Sequence, residues 1–414
     1  MAMRRFFLLE SKLSRHPELK LQYDTFMDEY ETLQHCKEIQ EYDDPPDLIK
    51  WYLPHHAVLR PTSSTTQCRV VFDASAKVSG YSLNNVMMVG PNVQADLLSI
   101  ILQFRKFRYV LIADIAKMYR QIVVDSCHSP LQRIFSRRSP NERLRVLELT
   151  TVTYGTVAAP SLATRALLQL ARDKQEIFPL AAHIIEKNFY VDNALFGSDD
   201  FHQASNMQAE LIQLLQSGGM HLHKWSANDE RLLLSIPHSD RDTFITIGES
   251  GANEIIKTLG LLWDPISDEF LFVAKLPENL ETPTKRQVLS TIAKVFDPLG
   301  MISPISVIAK ILMQTLWKSK LNWDDKLNEQ LCCQWREFLD SFPVAEQIRI
   351  PRLIVTRNAL FFELNGFADA SQVAYGACVY VRSIHPDETS SLKLVSSKSK
   401  IAPITPLTIP RKEL

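Results

Sequence analysis

Residues 189–197 of this 414-residue chain have the sequence Phe189-Tyr190-Val191-Asp192-Asn193-Ala194-Leu195-Phe196-Gly197. Two short apolar arms flank the polar pair Asp192 and Asn193, and a glycine ends the second arm. This pattern predicts a tight β-hairpin that holds a carboxylate at its bend. An ordinary surface hairpin has the same turn chemistry, because Asp and Asn both tolerate turn geometry. A functional site is indicated only by a second carboxylate far upstream, Asp114, at the end of a predicted buried strand.

Length and composition indicate a globular chain of two or three domains. Hydrophobic residues make up 45% and charged residues 22% of the sequence, which is typical of a chain with a real core. The formal net charge is -1, so any nucleic-acid site must be a local basic surface. The six cysteines show no regular spacing, which favours a reducing compartment. The chain has no apolar stretch of membrane-spanning length and a poor signal peptide, so we expect a soluble, intracellular protein.

The pattern along the chain predicts an α+β fold with helices on one face of a sheet. The predicted strands cover residues 51–59, 68–72, 109–113, 121–125, 144–152 and 220–225, with a Ser/Thr-rich turn at 61–67. The predicted helices cover residues 4–43, 96–107, 201–215, 284–296 and 304–321, and another starts at Pro160. A second α/β region begins near residue 366 with a strand at 376–381. Residues 390–400 resemble a hairpin connection.

Asp114 and Asp192 have a common chemical use if the fold brings them together. Phosphoryl transfer with two divalent ions needs oxygen ligands that hold both metals, and Mg²⁺ prefers a few carboxylates together with water and phosphate oxygens. Each residue also has a simpler explanation, since Asp114 could cap a helix or pair with Lys117.

Several motifs resemble a known family. Asp114 followed five residues later by Tyr119 resembles the first catalytic motif of reverse transcriptases, and residues 190–193 resemble their Tyr-x-Asp-Asp box. More specifically, the chain resembles the BEL/Pao class of LTR retrotransposon polyproteins. The segments that carry this likeness follow the family's order and cover residues 69–75, 154–160, 218–225, 259–263 and 296–300.

The resemblance implies a role for each matching residue. Asp114 and Asp192 would bind two Mg²⁺ ions, with Mn²⁺ as an alternative, and Lys224 would donate a proton to the leaving pyrophosphate. Tyr119 would be the steric gate against a 2′-OH, and Arg69 would reach the triphosphate. The nucleotide-binding segment would include Tyr154, Gly155 and Pro160, and the primer grip would be Leu259, Gly260 and Leu261. Without the resemblance, Lys224 is more simply a solvated lysine and Tyr119 a core aromatic.

The implied architecture is a right-hand polymerase with fingers, palm and thumb, followed by a partial RNase H-like α/β domain. We expect a helical lead-in at 1–50, fingers and palm at 51–230, primer grip and helical thumb or connection at 231–348, and a truncated RNase H-like domain at 349–414. Asp369 and Glu413 match the first two acidic residues of RNase H. The resemblance places the remaining acidic ligands of RNase H beyond residue 414. Two carboxylates from a truncated sheet are not expected to hold a working two-metal site, so no RNase H activity is expected.

The implied function is RNA-directed DNA synthesis on an RNA or DNA template with a DNA primer and dNTPs. Other polyprotein segments are further partners and a membrane is not. The protein would be cytoplasmic, in a virus-like particle or in the nucleus. Basic clusters that could contact a phosphate backbone lie at residues 105–108 and at Arg133, Arg137, Arg138, Arg143 and Arg145, although such runs are usually solvated faces.

One residue departs from the family pattern. Asn193 stands where the family has a second box aspartate, so the site keeps the shape but loses one negative charge. A missing charge beside two divalent cations should weaken metal binding and catalysis, and we expect an impaired polymerase. Two alternatives stay open: an inactive nucleic-acid-binding remnant, and an aspartic peptidase region. The peptidase needs an Asp-Thr-Gly or Asp-Ser-Gly loop, which the sequence lacks.

Overall fold

The computed structural model describes residues 1–59, 68–242, 245–246, 254–273, 282–405 and 408–413. The chain divides into two compact units. The first unit comprises Met1–Ala95, Asp114–Ala194 and Met207–His223, and the second comprises Asp96–Ala113, Leu195–Asn206 and Lys224–Leu414. No helix in the described part of the chain is long and apolar enough to cross a membrane.

Helices and strands both contribute substantially, in agreement with the predicted mixed architecture. The helices are α1 (Ala2–Arg15), α2 (Pro17–Thr32), α3 (Leu83–Val86), α4 (Leu97–Phe104), α5 (Ala159–Lys174), α6 (Pro179–Asn188), α7 (Phe201–Ser217), α8 (Lys285–Ile292), α9 (Ser303–Lys318), α10 (Glu329–Gln347) and α11 (Ile409–Glu413). The first nine strands are β1 (Cys36–Ile39), β2 (His55–Leu59), β3 (Cys68–Phe72), β4 (Tyr109–Ile115), β5 (Arg133–Ser136), β6 (Arg145–Leu149), β7 (Phe189–Tyr190), β8 (Asn193–Ser198) and β9 (Leu222–Ala227). The later strands are β10 (Ile245–Thr246), β11 (Glu254–Thr258), β12 (Leu261–Asp264), β13 (Glu269–Leu271), β14 (Arg349–Pro351), β15 (Phe361–Ala370), β16 (Ala374–Ile384) and β17 (Ser390–Ile401).

The first unit is built around two small sheets covered by α1 and α2. Strand β2 pairs with β3, and β6 lies between β1 and β5. The two helices bury apolar residues at helical spacing, which packs one stripe of each helix onto the strands. The buried residues of this stripe are Phe6, Leu9, Leu13, Leu19, Tyr23, Met27 and Tyr30.

A four-stranded sheet holds the predicted hairpin, in the order β7-β8-β4-β9. The boundary between the two units falls within β4, β8 and β9. Within the second unit, Gly197 of β8 runs so close to β4 that an added Cβ would lie 2.2 Å from the carbonyl oxygen of Tyr109. Only glycine therefore fits at this crossing of the two strands.

The second unit contains two further sheets. Strands β10 to β14 form one antiparallel sheet in chain order, and β15, β16 and β17 form a separate antiparallel sheet. The β11–β12 hairpin turns at Leu259 and Gly260, whose φ angles are +48° and +84°. Two successive left-handed residues are the signature of a type I′ hairpin turn.

Several predicted elements differ from the structure. The helix predicted at 4–43 is interrupted at His16 and ends at Thr32, and residues 36–39 form β1 because they pair with β6. Residues 390–400 are not a hairpin connection but most of β17, which pairs with β16 along its length. Residues 121–125 contribute only a single bridge from Val123 to Thr151. For β1 and β17, pairing with a partner strand decided the conformation. The turn predicted at 61–67 lies outside the described residues.

Candidate active site

The hairpin predicted at residues 189–197 is present, and its bend consists of Val191 and Asp192. Tyr190 pairs with Asn193 and Phe189 with Ala194. Val191 has a φ of +57°, a left-handed conformation that is strained for a β-branched residue. Its backbone N–H donates a hydrogen bond of 2.9 Å to the Gln94 Oε1 atom. The bend is therefore held from outside by a side chain of the loop before α4.

The bend lies against the end of β4, which carries Asp114. The backbone N–H of Ile115 donates to the carbonyl oxygen of Asp192 over 2.8 Å. Asp114 is the next-to-last residue of β4. The strand extends to Ile115, one residue beyond Asp114, where the sequence predicted its end. Both carboxylates are half-buried. The fold thus brings together the two acidic residues that the sequence singled out.

Asn193 contacts its neighbour through the amide group. The Asn193 Nδ2 atom donates a hydrogen bond of 2.9 Å to the Asp192 Oδ1 atom. An aspartate at this position would place a second negative charge beside Asp192 and could not donate when ionised. The amide therefore replaces repulsion at the bend with an attractive contact.

His223 is a site residue that the sequence patterns did not indicate. Its Nε2 atom lies 3.1 Å from the Asp114 Oδ1 atom. Strand β9 is aligned with β4 at this point, since the N–H of Ala116 donates to the carbonyl oxygen of His221 over 2.8 Å. His223 stands directly before the predicted catalytic Lys224 in the sequence. Only the pairing of β9 with β4 shows that the histidine reaches the carboxylate.

Tyr119 lies close to Asp192. Burial raises the pKa of its hydroxyl above the usual value, and the negative charge of Asp192 adds to the rise. Tyr119 sits in the short turn Met118–Gln121, which follows Lys117 with a φ of +53°. The Lys117 Nζ atom pairs with Glu29 at 2.6 Å.

The segment around Tyr154, Gly155 and Pro160 packs against β3. The Tyr154 hydroxyl donates to the carbonyl oxygen of Val70 over 2.5 Å, and burial raises the pKa of that hydroxyl to about 12. Gly155 has a φ of +100°, and an added Cβ would lie 2.2 Å from the carbonyl oxygen of Phe72. Pro160 is the second residue of α5, as predicted for a helix start.

The segment of residues 82–95, which contains α3 and the loop after it, contacts several parts of this site. The Asn84 amide donates to the carbonyl oxygen of Gly155 and accepts from the N–H of Val157, at 3.0 and 2.9 Å. The Ser161 hydroxyl donates to the carbonyl oxygen of Pro91 over 3.0 Å, and Gln94 holds Val191 as described. Residues 82–95 therefore join the segment before α5 to the bend of the hairpin.

The remaining predicted residues are Arg69, Lys224, Asp369 and Glu413. Arg69 is exposed on β3. Its positive charge lowers the pKa of the Tyr154 hydroxyl and so partly offsets the increase caused by burial. Lys224 begins the third segment of the second unit and has a left-handed φ of +52°. Asp369 is exposed near the end of β15 and lines a cavity of about 520 Å³. Glu413 is the last residue of α11, and its side chain lies outside the described part of the structure.

Most of the arginines predicted to form basic clusters are engaged in internal contacts, which corrects that expectation. Arg105 and Arg133 are 0% and 2% exposed, so neither can reach a phosphate backbone. Arg133 pairs with Asp44 at 2.6 Å and with Glu148 at 3.0 Å. The remaining pairs join Arg137 to Glu10, Arg138 to Asp28, Arg143 to Glu38 and Arg145 to Glu31.

Residues 284–414 match the family described as "Pao retrotransposon-like RNaseH-like domain". Over these residues, the resemblance to BEL/Pao-type retrotransposon polyproteins is thereby confirmed. The match begins within the segment predicted to form the primer grip and thumb. A search of the curated proteins found no match.

Among solved structures, the chain is similar to one described as "Structure of the foamy viral protease-reverse transcriptase dRH in complex with ds DNA". The TM-score is 0.55 and the sequence identity is 12%. The similar region covers 95% of this chain and 58% of that chain, so this chain spans less than two thirds of the other. At this level of identity the likeness shows the fold, which is a mixed α and β architecture similar to that of a retroviral reverse transcriptase.

Proposed function

We propose that the chain is an RNA-directed DNA polymerase in which Asp114 and Asp192 are the catalytic carboxylates. The observation that carries this proposal is the hydrogen bond from the Ile115 N–H to the Asp192 carbonyl oxygen, 2.8 Å long. It joins two motifs whose aspartates, at positions 114 and 192, are 78 residues apart in the sequence. The fold of the similar solved structure supports the same assignment. Fold alone would not do so, because unrelated functions share folds.

The proposed architecture is a right hand. Fingers and palm would span residues 51–230 and the primer grip and thumb 231–348, with a helical lead-in at 1–50 and an RNase H-like segment at 349–414. In this arrangement the turn at Leu259 and Gly260 is the primer grip. The proposed partners are a template, a DNA primer and dNTPs.

Asp114 and Asp192 fit a divalent metal by their chemistry, since both are carboxylates, one near the end of β4 and the other at the bend of the β7–β8 hairpin. Within the described residues, however, no group of three or more His, Cys, Asp or Glu side chains is arranged to hold a metal ion. We therefore propose that Mg²⁺ or Mn²⁺ binds to these two carboxylates with phosphate oxygens completing the coordination. A bound divalent ion would neutralise the charge that develops on the transferring phosphoryl group.

The protein residues around the carboxylates would position the substrate. The Tyr119 ring, close to Asp192, would close the space that a ribose 2′-OH needs. Arg69 is exposed and would bind the triphosphate through its planar guanidinium group. Gly155 would let the backbone approach the nucleotide, and Lys224 would donate the proton to pyrophosphate.

Asn193 should impair this polymerase. Its amide occupies the Asp192 Oδ1 atom with a hydrogen bond of 2.9 Å, and it brings no negative charge of its own. Replacing Asn193 with aspartate should strengthen metal binding and raise primer extension by at least about 10-fold, within the range that one charged group contributes at such sites.

The test is primer extension on an RNA template with Mg²⁺ and with Mn²⁺. The natural chain, Asn193→Asp and Asn193→Asp combined with Asp114→Asn are compared, and the third is expected to be inactive. Equal and robust synthesis by the natural chain and Asn193→Asp would contradict the predicted impairment. Activity that survives Asp114→Asn would contradict the assigned carboxylates.

An inactive nucleic-acid-binding remnant is the second candidate. The contact between Asn193 and Asp192 favours it, because that contact stabilises the bend without a metal ion. This alternative predicts that primer–template binding is retained and that neither the natural chain nor Asn193→Asp extends the primer. Binding and extension measured on the same preparations separate the two candidates.

A further inference from the structure

Two of the six tryptophans in this chain are exposed and touch each other. Trp317 is 46% exposed and Trp323 is 44% exposed, and their rings meet edge to face with centroids 5.7 Å apart. Trp225, Trp263 and Trp335 are all at most 2% exposed. Large exposed aromatic side chains commonly mark an interaction surface.

The tryptophan pair is held on a rigid base in the second unit. Trp317 is in the last turn of α9, and Trp323 follows in the loop before α10. The N–H of Arg286 donates to the carbonyl oxygen of Trp323 over 2.9 Å. The buried Lys285 donates to the carbonyl oxygen of Leu321 over 3.1 Å, and its Nζ atom lies 4.2 Å from the Trp317 ring centroid. The pair is therefore preorganised by the start of α8.

The side chains around the pair are mainly basic. Segments 282–286 and 317–326 contain five cations, Lys285, Arg286, Lys318, Lys320 and Lys326, against two carboxylates, Asp324 and Asp325. Asp324 is paired with Arg286 at 2.8 Å. Lys318, Lys320 and Lys326 are exposed. We call these two tryptophans and five cations the tryptophan patch.

We propose that the tryptophan patch binds an unpaired nucleic-acid strand. Bases of any sequence stack on exposed aromatic rings while nearby cations bind the phosphates. Bases in a duplex are already stacked on each other, so the patch should favour a single strand. A stable protein partner would need about 800 Å² on each side, which two half-exposed indoles do not supply. The tryptophan patch and the proposed active site would share only the class of ligand. The patch residues are distant in the sequence from the predicted catalytic residues.

The test is tryptophan fluorescence of the full chain titrated with an oligothymidylate of about 12 nucleotides, a length within the usual site size. Stacking should quench the emission, and the quenching should weaken as salt rises. The double variant Trp317→Leu with Trp323→Leu should bind about 5- to 100-fold more weakly, measured by anisotropy of the labelled strand. The matched variant Trp317→Phe with Trp323→Phe keeps two aromatic rings and should bind within about 3-fold of the natural chain.

The possible outcomes distinguish single-strand binding at the tryptophan patch from the proposed polymerase activity. Quenching without primer extension would count against the proposed function and support the patch, whereas extension with no quenching would overturn the patch alone. Equal single-strand affinity in the leucine and phenylalanine variants would also overturn it, provided that circular dichroism shows both to be folded. Emission that changes with protein concentration and not with the oligonucleotide would identify a second copy of the chain as the occupant and refute the proposal.

Discussion

At the scale of single residues, the candidate site concentrates backbone conformations that side chains rarely adopt. Lys117 and Val191 have φ angles of +53° and +57°, and Gly155 has a φ of +100°. Such conformations persist only where the surrounding structure enforces them, and they cluster at functional sites. Here the enforcing contacts are the Gln94 side chain at Val191 and the close approach of β3 at Gly155. Substitutions at these residues therefore test the local backbone conformation directly.

Gly155→Ala should destabilise the first unit by more than about 2 kcal/mol, since the left-handed φ and the contact with Phe72 both oppose a Cβ. Gly80→Ala is the matched control, because Gly80 has a φ of +89° and no atom within 4 Å of an added Cβ. The control should lose only about 1 kcal/mol. Urea unfolding of both variants measures the difference, and equal losses would show that the contact with Phe72 is unimportant.

Two buried histidines should make the stability of the first unit depend on pH. Burial lowers the pKa of His35 and of His55 from 6.5 to about 4. In the unfolded chain both histidines therefore take up a proton at a higher pH than in the folded chain. Their contribution to stability is fully present above pH 6.5, and it is lost as the pH falls toward 4. The His55 ring stays neutral beside the Tyr23 hydroxyl, 2.7 Å from its Nε2 atom.

The free energy of unfolding should thus fall between pH 7 and pH 4.5, and His55→Gln should reduce the slope of that fall. His56→Gln, at the exposed neighbouring position, should change the slope much less, because burial is the largest cause of the lowered His55 pKa and the charge of His56 is a smaller one. Urea titrations at several pH values give the slopes. An identical pH dependence in the two variants would rule out the assigned role of His55.

At the scale of elements, a cluster of buried charge ties α4 to the later strands of the second unit. Arg352 is 0% exposed. It binds Asp268 through its Nε and Nη2 atoms at 2.6 and 2.7 Å, and its Nη1 atom donates to the carbonyl oxygens of Phe104 and Phe107. Arg352 therefore caps the C-terminal end of α4. The Arg105 guanidinium beside it donates to three carbonyl oxygens and lies over the Phe270 ring. Burial lowers the pKa of Arg105 to about 9.

Arg352→Ala should destabilise the second unit by about 3–5 kcal/mol, because the change leaves Asp268 and the end of α4 without their partner. Arg349→Ala is the control, since Arg349 is exposed in β14 and, within the part of the chain that the structure describes, its side chain donates only to nearby carbonyl oxygens. Its loss should stay within about 0.5 kcal/mol. Thermal and urea unfolding compare the two variants, and similar stability in both would show that the cluster is not structurally important.

At the scale of the whole molecule, the charge distribution limits how nucleic acid can bind. The net charge is -1, and most of the arginines expected to form basic clusters are buried or paired with carboxylates. Under the proposals above, exposed cations such as Arg69 and those of the tryptophan patch would contribute to binding. The dependence of binding on salt reports how many phosphates these cations contact.

We expect primer–template affinity to fall by at least about 10-fold between 50 and 200 mM salt. Lys318→Gln combined with Lys320→Gln should reduce the slope for a single strand and leave the slope for a blunt duplex unchanged. Fluorescence anisotropy measures both slopes. An affinity that does not vary with salt would exclude backbone binding as the main source of affinity.

The sequence by itself determined the local features of this protein. The hairpin at 189–197, strands β2 and β3, and the start of α5 at Pro160 follow from patterns that are local in the chain, such as alternating apolar residues and turn residues. The motifs of the BEL/Pao class likewise depend on residue identity alone. For this reason the family resemblance follows directly from the order of the amino acids.

Tertiary structure decided which distant residues meet. The contact of His223 with Asp114, the support of Val191 by Gln94 and the internal pairing of the arginines all join residues far apart in the chain. Strands β1 and β17 formed where local patterns predicted a helix and a connection, because their backbone groups found partners in β6 and β16. Hydrogen bonds and ion pairs between distant segments depend on packing, and a local pattern carries no information about the partner.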